Sequence, residues 1–459
     1  MYKINFHKPL HIHFIGIGGI SMSGLAEILL KEDFIVSGSD SKESPLTDHL
    51  ERKGASIFYG QKASNIQEGI DVVVYTAAIH EDNPEFMEVK RQEIPMLSRA
   101  ELLGQLMTNY KIPIAISGTH GKTTTTSMLS HVLLQGDLDP TISVGGILKA
   151  IDGNIRVGDS DVFVTEACEY TNSFLHFFPK IGVILNVEED HLDFFKDLDD
   201  IRNSFHRFAQ LLPPEGTLVI NGDIKDYHDF TKELSCNVIT YGSDSSMDYY
   251  GNHITYNELG HVSFDLFKHQ KFAGHIILSV TGDHNVSNAL AAIAVADLLS
   301  LSMDTIQKGL FSFSGTNRRF EYKGDLNGFT IIDDYAHHPT EIRATLSAAK
   351  HYPHQELWCV FQPHTYTRTK AFWKEFTEAL SLADHVVLAD IYAARETDNL
   401  GISSEALAAS IREFGGDAYY FSDFTEIADF VRSRCQKGDL LITMGAGDVV
   451  NIGESLLKV

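Results

Sequence analysis

The stretch from Lys111 to Thr126, KIPIAISGTHGKTTTT, combines an apolar run, a turn with two glycines and a row of threonines. The apolar residues 111–117 are typical of a buried strand, and the residues after the turn begin a helical pattern that ends at Gly136. A strand that passes through a short turn into a helix is the unit from which parallel sheets covered by helices are built. Because the same alternation recurs along the chain, the sequence predicts an α/β fold.

The turn in this stretch also predicts a phosphate-binding loop. Its backbone N–H groups can face a phosphate, Lys122 can reach the outer phosphates, and the hydroxyl of Thr123 can ligate Mg²⁺ at the helix N-terminus. The strict spacing GxxxxGK[ST] needs a glycine where this chain has Ile116, so the loop is a shortened variant. A threonine-rich helix cap without a ligand is the weaker alternative. The predicted nucleotide-binding residues are Gly118, Thr119, His120, Gly121, Lys122, Thr123 and Thr124.

Acidic residues follow two further apolar runs. Glu166 and Glu169 follow one run, and the sequence from Glu188 to His191, EEDH, follows the other. A nucleotide bound with Mg²⁺ needs hard oxygen ligands near its β- and γ-phosphates, and carboxylates at the ends of adjacent strands can supply them. Each acid taken alone is better explained as a solvated loop residue, and only a shared geometry with the phosphate loop reverses that preference. The predicted metal ligands are Thr123, Glu166 and His191.

A second glycine-rich turn lies near the start of the chain. The residues 16–24, GIGGISMSG, follow an apolar run and open a helical pattern, and Asp40 ends the next predicted strand. This layout holds a pyrophosphate at a helix N-terminus with an acid near the ribose. The pattern does not separate NAD, FAD and a nucleotide-sugar, and a tight turn without a ligand is a further alternative. The candidate residues are Gly16, Gly18, Gly19, Ser21 and Asp40.

Two loops in the last third of the chain are rich in histidine, tyrosine and arginine. They span residues 333–340 and 362–368, and both follow apolar runs. Such side chains at strand ends suit an anionic, hydroxylated substrate. The alternative is that Thr340 and Glu341 merely cap a helix while His337 packs locally, and both interpretations can hold together. The candidate substrate-binding residues are Tyr335, His337, His364 and Arg368.

Length and composition limit the class of protein. The 459 residues correspond to about three domains, which we expect at 1–108, 109–316 and 317–459. A net charge of −25 repels nucleic-acid phosphates and anionic lipid headgroups, so neither partner is expected. The four cysteines form no CxxC pair, and the longest apolar stretch is too short for a membrane span. A cytoplasmic protein is therefore predicted.

Seven motifs in order identify a family resemblance: GTHGKTTTT (118–126), EACEY (166–170), NVEEDHLD (186–193), GDHNVSNA (282–289), GTNRRFE (315–321), DDYAHHPTE (333–341) and FQPHTYTRT (361–369). Together they resemble the Mur ligases of peptidoglycan synthesis, and the similarity spans nearly the whole chain. It implies an N-terminal Rossmann-like domain for the UDP part of a sugar nucleotide and a central P-loop domain for ATP. The C-terminal Rossmann-like domain would close over ATP and the amino acid.

The resemblance is strongest to the branch that joins L-alanine to the carboxylate of UDP-N-acetylmuramate through an acyl phosphate, with ATP and Mg²⁺. It implies that His284, Asn285 and Asn288 lie on the adenine side of ATP, and that Arg319 and Asp334 touch ATP, with Asp334 at the ribose. It also implies a catalytic set of Lys122, His191, His337 and Arg368, with His191 at a second Mg²⁺. We expect a monomer or a weak homodimer. A ligase of peptidoglycan synthesis is also expected to have a role in cell shape and cell division.

The chain departs from the family pattern at two motifs. Residues 166–170 read EACEY, with Cys168 at the centre, where many members read EADES. Thr365 stands where many members carry an arginine. The missing arginine at position 365 leaves open how a substrate carboxylate is bound. We expect Arg368 to supply more of the binding of that carboxylate.

Three other functions are compatible with part of the sequence. A recycling ligase that attaches a preformed tripeptide to UDP-N-acetylmuramate shares the first substrate and many motifs. An NAD-dependent oxidoreductase would use Gly16, Gly18 and Asp40 but leaves Lys122 unexplained. A nucleotide-sensing protein without catalysis would use the same fold.

Overall fold

Three β-sheets organise the chain in the computed structural model, which describes residues 2–76 and 78–458. The residues cluster into two compact units, the first formed by Met1–Val187 and Arg202–Thr240, and the second by Glu188–Ile201 and Tyr241–Val459. The predicted α/β class is confirmed. The predicted boundaries near residues 108 and 316 coincide with changes from one sheet to the next, and as domain limits they stay a prediction.

The first sheet has five parallel strands in the order β3-β2-β1-β4-β5. Its core includes Ile12 and Phe14 of the central strand, both fully buried. The apolar run DVVVYTAAI predicts a strand over 71–79, and the structure has the shorter strand Val72–Tyr75 there. Ala77 lies outside the described residues. The elements are β1 His11–Ile15, α1 Ile20–Lys31, β2 Ile35–Asp40, α2 Pro45–Arg52, β3 Ser56–Tyr59, β4 Val72–Tyr75, α3 Pro84–Arg91, β5 Met96–Ser98 and α4 Arg99–Met107.

The second sheet begins in the first unit with parallel strands around β6, which pairs with β9 and β10. The hairpin strand β8 is antiparallel to β7 at its edge. The elements are β6 Ile112–Ser117, α5 Lys122–Gln135, β7 Thr141–Leu148, β8 Gly153–Arg156, β9 Val162–Ala167, β10 Ile181–Ile184, α6 Leu198–Ala209, β11 Thr217–Asn221, α7 His228–Thr231 and β12 Asn237–Gly242.

The second unit contains an antiparallel meander followed by two helices. The elements are β13 Tyr249–Tyr256, β14 His261–Lys268, β15 Lys271–Thr281, α8 His284–Leu298 and α9 Met303–Ser312. Residues 215–280 mix polar residues with short alternating runs, so the sequence predicts an antiparallel edge there. The strands β13, β14 and β15 confirm it for their part of that range. It is wrong for β11, which pairs in parallel with β10. All five residues of β11 are buried, as is typical of parallel strands covered on both faces.

The third sheet has the order β16-β17-β21-β18-β19-β20. Its strands are parallel except for the edge strand β16, which is antiparallel to β17. Apolar clusters cover both faces, one around Phe361 and Leu388 and the other around Val360 and Val387. The elements are β16 Glu321–Leu326, β17 Phe329–Asp334, α10 Pro339–Ala349, β18 Leu357–Phe361, α11 Tyr366–Ala371, α12 Trp373–Leu380, β19 His385–Leu388, α13 Ser404–Glu413, β20 Asp417–Tyr420, α14 Phe424–Arg434, β21 Leu440–Met444 and α15 Val450–Leu457.

This architecture places the predicted site residues at one kind of position. The loops that follow β1, β6, β9, β10, β17 and β18 lie at the carboxyl ends of parallel strands, where open α/β sheets bind ligands. Among the described residues, no helix has the length and apolar character that crossing a membrane requires.

Candidate active site

The phosphate loop, residues 118–124, joins β6 to α5 in the first unit. Gly121 precedes the helix with a φ of +83°, a left-handed conformation that glycine adopts without steric cost. At Gly118 a β-carbon would lie 2.8 Å from the Cβ of Leu185, so a side chain would meet the neighbouring chain segment. These two constraints explain why the motif has glycine at positions 118 and 121. The first turn of α5 follows directly after this loop.

Asn186 fixes the far side of the phosphate loop. Its carbonyl accepts from the N–H of Thr119 at 3.2 Å, and its side-chain oxygen accepts from the N–H of His120 at 2.8 Å. Its Nδ2 donates to the carbonyl of His120 at 3.0 Å. Asn186 lies within a quoted motif, but the sequence analysis gives it no role, because an asparagine after a strand is no signal by itself.

Lys122 is held at the base of the loop. Its Nζ donates to the carbonyls of Gly118 and Thr119 at 2.5 and 3.1 Å and forms an ion pair with Glu169 at 2.9 Å. Burial alone would lower the pKa of Lys122, but the negative charge of Glu169 outweighs it and raises the pKa above its ordinary value. The ammonium is therefore charged and oriented at neutral pH. The structure thus brings Lys122 together with Glu169, one of the two acids that follow the predicted strand before residue 166.

Thr123 and Glu166 provide adjacent oxygen atoms at the start of α5. The Thr123 hydroxyl donates to a Glu166 carboxylate oxygen at 3.1 Å, and the other oxygen accepts from the N–H of Gly145 at 2.5 Å. Both side chains were predicted as Mg²⁺ ligands, and hard oxygens are the donors that this ion prefers. His191, the third predicted ligand, belongs to the second unit, so its place in this set stays a prediction.

The glycine loop, residues 16–19, follows β1 in the first sheet. The N–H groups of Gly16 and Ile17 donate to the carbonyl of Ser39 at 2.9 and 3.0 Å, and the N–H of Gly18 donates to Asp40 at 2.8 Å. A β-carbon at Gly18 would lie 2.8 Å from Asp40, which accounts for that glycine. Asp40 thus holds the loop itself. Gly19 is the N-cap of α1 and Ser21 lies in its first turn, so a pyrophosphate would meet the amides there.

In the second unit, α8 begins with the three residues predicted for the adenine side. Asn285 donates to the carbonyl of Thr281 at 2.7 Å, and Asn288 donates to Asn285 at 3.0 Å. Both asparagines are buried. Desolvation lowers the pKa of His284 to about 4, so this ring is neutral at pH 7.

A cavity of about 320 Å³ adjoins the start of α8, within the size range of small-molecule sites. Between them α8 and α10 supply most of its lining. One wall is His351, whose ring stacks on Tyr256 at 3.9 Å with an interplanar angle of 5°. The lining residues are Gly282, Asp283, His284, Thr340, Arg343, Ala344, Ser347, Ala348 and His351.

Tyr335 follows β17 and lies beside an arginine pair from the segment before β16 and the last residue of β17, Asp334. The guanidinium carbons of Arg318 and Arg319 lie 5.0 and 5.4 Å from the Tyr335 ring centre. Arg318 is used structurally, because it pairs with Asp333 at 2.9 Å. Burial raises the pKa of Asp334 to about 6 against the opposing charge of Arg319, and its oxygens accept from two backbone N–H groups at 2.8 Å. The structure places Arg319 and Asp334 beside Tyr335, and their contact with ATP stays a prediction.

His337, His364 and Arg368 come together in the second unit, as predicted. The rings of His337 and His364 are 5.8 Å apart, and Arg368 Nη1 lies 3.1 Å from Nδ1 of His364. Burial lowers the pKa of each histidine to about 4, so both are neutral at pH 7. Arg368 also donates to Asp190 at 3.1 and 2.9 Å. Asp190 is a partner that the sequence analysis does not assign.

Thr365, the departure from the family pattern, has its hydroxyl turned towards its own helix. It caps α11 by accepting from the N–H of Arg368 at 3.4 Å, and its φ is +67°, which is unusual for a β-branched residue. Glu396 accepts from the N–H groups of Tyr366 and Thr367 at 2.5 and 3.2 Å. The start of α11 is therefore fixed from two sides, and Arg368 supplies the cationic group of this loop.

His191 follows Asp190 in the loop after β10. Its φ is +52°, and its N–H donates to Asp190 at 2.7 Å, while Nε2 lies 3.9 Å from the other carboxylate oxygen. In the same loop, Glu188 accepts from the hydroxyl of Thr340 at 2.7 Å. His191 is thus held by the residue that also binds Arg368.

Comparison with known proteins agrees with the fold. Three family models match in succession: the Mur ligase family catalytic domain at residues 11–111, the Mur ligase middle domain at 116–296, and the Mur ligase glutamate ligase domain at 318–447. The chain belongs to the Mur ligase family, whose members are ATP-dependent ligases.

Three relatives within this family are similar to this chain over most or all of their own length. The UDP-N-acetylmuramate--L-alanine ligase of Agathobacter rectalis is 60% identical over 458 residues, covering 100% of both chains. The solved UDP-N-acetylmuramate-alanine ligase of Thermotoga maritima is 29% identical with a TM-score of 0.80, covering 98% of each chain. The UDP-N-acetylmuramate:L-alanyl-gamma-D-glutamyl-meso-diaminopimelate ligase of Neisseria meningitides is 31% identical with a TM-score of 0.61, covering 68% of this chain and 100% of the other.

Proposed function

We propose that this protein joins L-alanine to the carboxylate of UDP-N-acetylmuramate at the expense of ATP, a step of peptidoglycan precursor synthesis in the cytoplasm. The observation that carries the proposal is the 60% identity, over the full length of both chains, to a ligase named for that reaction. Side chains of the kinds that suit such a reaction, described above within each unit, support the proposal.

The phosphate loop is the proposed site for the phosphates of ATP. Lys122 is charged and held by Glu169 and two carbonyls, so it needs little reorganisation to stabilise the charge on the transferred phosphoryl group. The product of that transfer is an acyl phosphate, which the alanine amine attacks with release of phosphate. Positioning and charge stabilisation supply most of the catalysis in phosphoryl transfer.

Thr123 and Glu166 are the residues that would hold Mg²⁺, since their oxygens lie 3.1 Å apart and are of the type that the ion prefers. When bound, Mg²⁺ neutralises charge on the β- and γ-phosphates. His191 is proposed as a ligand of a second Mg²⁺, on the family motif alone.

The base and ribose of ATP are proposed to bind in the second unit. The cavity lined by His284, with its neutral imidazole, suits a planar base with hydrogen-bonding edges. Asn285 and Asn288 are added to this site on the family motif alone. Asp334 and Arg319 are proposed at the ribose and phosphate side. Asp334 offers a carboxylate to hydroxyl groups.

Arg368, with His337, His364 and Tyr335, is the proposed binding site for a substrate carboxylate. A guanidinium can donate two parallel hydrogen bonds to a carboxylate, and Arg368 is already arranged for such a partner by Asp190. The two neutral histidines add hydrogen-bonding groups without repelling the arginine.

A ligase that attaches a preformed tripeptide to UDP-N-acetylmuramate is the second candidate. The UDP-N-acetylmuramate:L-alanyl-gamma-D-glutamyl-meso-diaminopimelate ligase of Neisseria meningitides shares 31% sequence identity with this chain. The first candidate is favoured by the 60% sequence identity to the alanine ligase of Agathobacter rectalis and by the TM-score of 0.80 to that of Thermotoga maritima. The corresponding values for the tripeptide ligase are 31% and 0.61. Phosphate release with ATP and UDP-N-acetylmuramate should be measured with L-alanine and with L-Ala-γ-D-Glu-diaminopimelate. Turnover with L-alanine is expected, and turnover with the tripeptide alone would overturn the proposal.

A further inference from the structure

Glu85 is a fully buried carboxylate in the first sheet that no proposed catalytic step uses. It lies in the first turn of α3, and one of its oxygens accepts from the hydroxyl of Ser39 at 2.6 Å. The other oxygen accepts from Nδ2 of Asn65 at 2.5 Å and from the N–H of Lys62 at 3.3 Å. Nε2 of the buried His13 is 3.7 Å away.

These partners lie in two strands and in the segment that follows a third. His13 lies in β1, Ser39 lies near the end of β2, and Lys62 and Asn65 lie in the segment after β3. The side chain of Ser39 therefore binds Glu85 while its backbone carbonyl accepts from Gly16 and Ile17 of the glycine loop. The glycine loop is thus two hydrogen bonds away from the buried carboxylate.

A buried charge is costly unless it is well satisfied, so its presence here calls for an explanation. Burial alone would raise the pKa of Glu85. The interactions with His13, Ser39 and Asn65 outweigh this effect and keep the pKa below its ordinary value. The position near the N-terminus of α3 also favours a negative charge. Glu85 is an anion that ties together the segments around the glycine loop.

We propose that Glu85 is a positioning residue for the sugar-nucleotide site. Resting on the proposed function, the inference is that Glu85 acts through Ser39 to hold the glycine loop in the conformation that receives the pyrophosphate of UDP-N-acetylmuramate. It does not touch the substrate. Its removal should weaken binding of the sugar nucleotide and leave the ATP side unchanged.

Ser39→Ala and Glu85→Gln test the proposal, with Glu88→Gln as the matched control. Ser39→Ala removes only the linking hydroxyl, and Glu88 lies on the same helix but pairs with Arg91 at the surface. The measurements are the KM for UDP-N-acetylmuramate, the KM for ATP and kcat, together with calorimetric titration by UDP and thermal unfolding.

Ser39→Ala and Glu85→Gln should each raise the KM for UDP-N-acetylmuramate and the Kd for UDP about tenfold, as for a lost hydrogen bond to a charged group. The KM for ATP and kcat at saturation should stay within about twofold, and the double variant should be little worse than either single variant because the two residues act through one bond. Glu88→Gln should match the unmutated enzyme.

Two results would overturn the positioning role: an unchanged KM and Kd in both variants, or additive effects in the double variant. If Glu85→Gln fails to fold, Ser39→Ala decides the question. If the unmutated enzyme binds UDP but releases no phosphate with L-alanine, the proposed reaction fails, and the UDP titrations still test Glu85 separately.

Discussion

Arg368 donates from two of its nitrogens to one carboxylate oxygen of Asp190, at 3.1 and 2.9 Å, and both side chains are at least nine-tenths buried. The two residues are 178 positions apart in sequence. Burial opposes ionisation of Asp190, but Arg368 and the neighbouring histidines hold its pKa well below the ordinary range. The pair orients the guanidinium that we propose for a substrate carboxylate.

Asp190→Asn should destabilise the protein by about 3 kcal/mol, because it leaves a buried arginine without its counter-charge. It should also lower kcat/KM, since Arg368 loses its orientation. Urea unfolding and steady-state phosphate release measure the two effects. Glu189→Gln, an exposed acid one position earlier, should change neither, and equal effects of the two variants would contradict the role of the pair.

Lys122→Ala should reduce phosphoryl transfer by about 10³-fold, because the variant lacks the charge that stabilises the transferred group. Binding of UDP-N-acetylmuramate should persist, since the glycine loop belongs to a different sheet. Phosphate release and calorimetric titration with UDP-N-acetylmuramate check both parts. Loss of both activities would indicate a folding defect instead.

His191→Ala should raise the Mg²⁺ concentration needed for half-maximal activity about tenfold, as loss of a ligand or its support does. A Mg²⁺ titration of phosphate release is the measurement. The exposed His228 serves as the control, and its replacement by alanine should leave the titration unchanged. An unchanged titration in His191→Ala would remove this residue from the metal site.

Three histidines with lowered pKa values predict how stability depends on pH. His284, His337 and His364 have pKa values of about 4 in the folded protein, because desolvation disfavours their charged forms. The unfolded chain takes up protons near pH 6.5, so it binds more protons than the fold between about pH 6.5 and 4. Their contribution to stability is therefore complete above about pH 6.5 and falls as the pH drops towards 4.

Urea midpoints measured between pH 8 and pH 4 test this dependence. Replacing His284 with asparagine should make the acid loss shallower, because one of the three groups no longer titrates. A slope that is the same with and without His284 would show that this ring is not held neutral. In activity, no titration of His337 or His364 is expected between pH 6 and 8.

The phosphate loop shows how far local sequence can reach. The order of strand, glycine turn, lysine and threonine is a local pattern with a local structural consequence, and the structure has it at the predicted residues. Glu166 and Glu169 could be predicted as candidates because acids at neighbouring strand ends share one edge of a sheet. Their separate partners, Thr123 and Lys122, depend on register and rotamer, which the spacing does not give.

Other contacts of the site follow from no pattern in the sequence. Asn186 and Asp190 act through contacts with segments distant in sequence, and Glu85 reads as an ordinary helix residue until its burial is seen. The strand β11 was assigned the wrong pairing for a related reason, since an apolar run has the same sequence whether its neighbour is parallel or antiparallel.

The sequence by itself determined the α/β class, the phosphate and glycine loops and the family, because these depend on periodicity, on glycine's conformational freedom and on motif order. Only the tertiary structure decided which carboxylate holds which cation: Glu169 holds Lys122 and Asp190 holds Arg368. The physical reason is that electrostatic and hydrogen-bond partners are set by distance and burial in space. In a chain with a net charge of −25, many acids compete for few cations, so composition could not name these pairs.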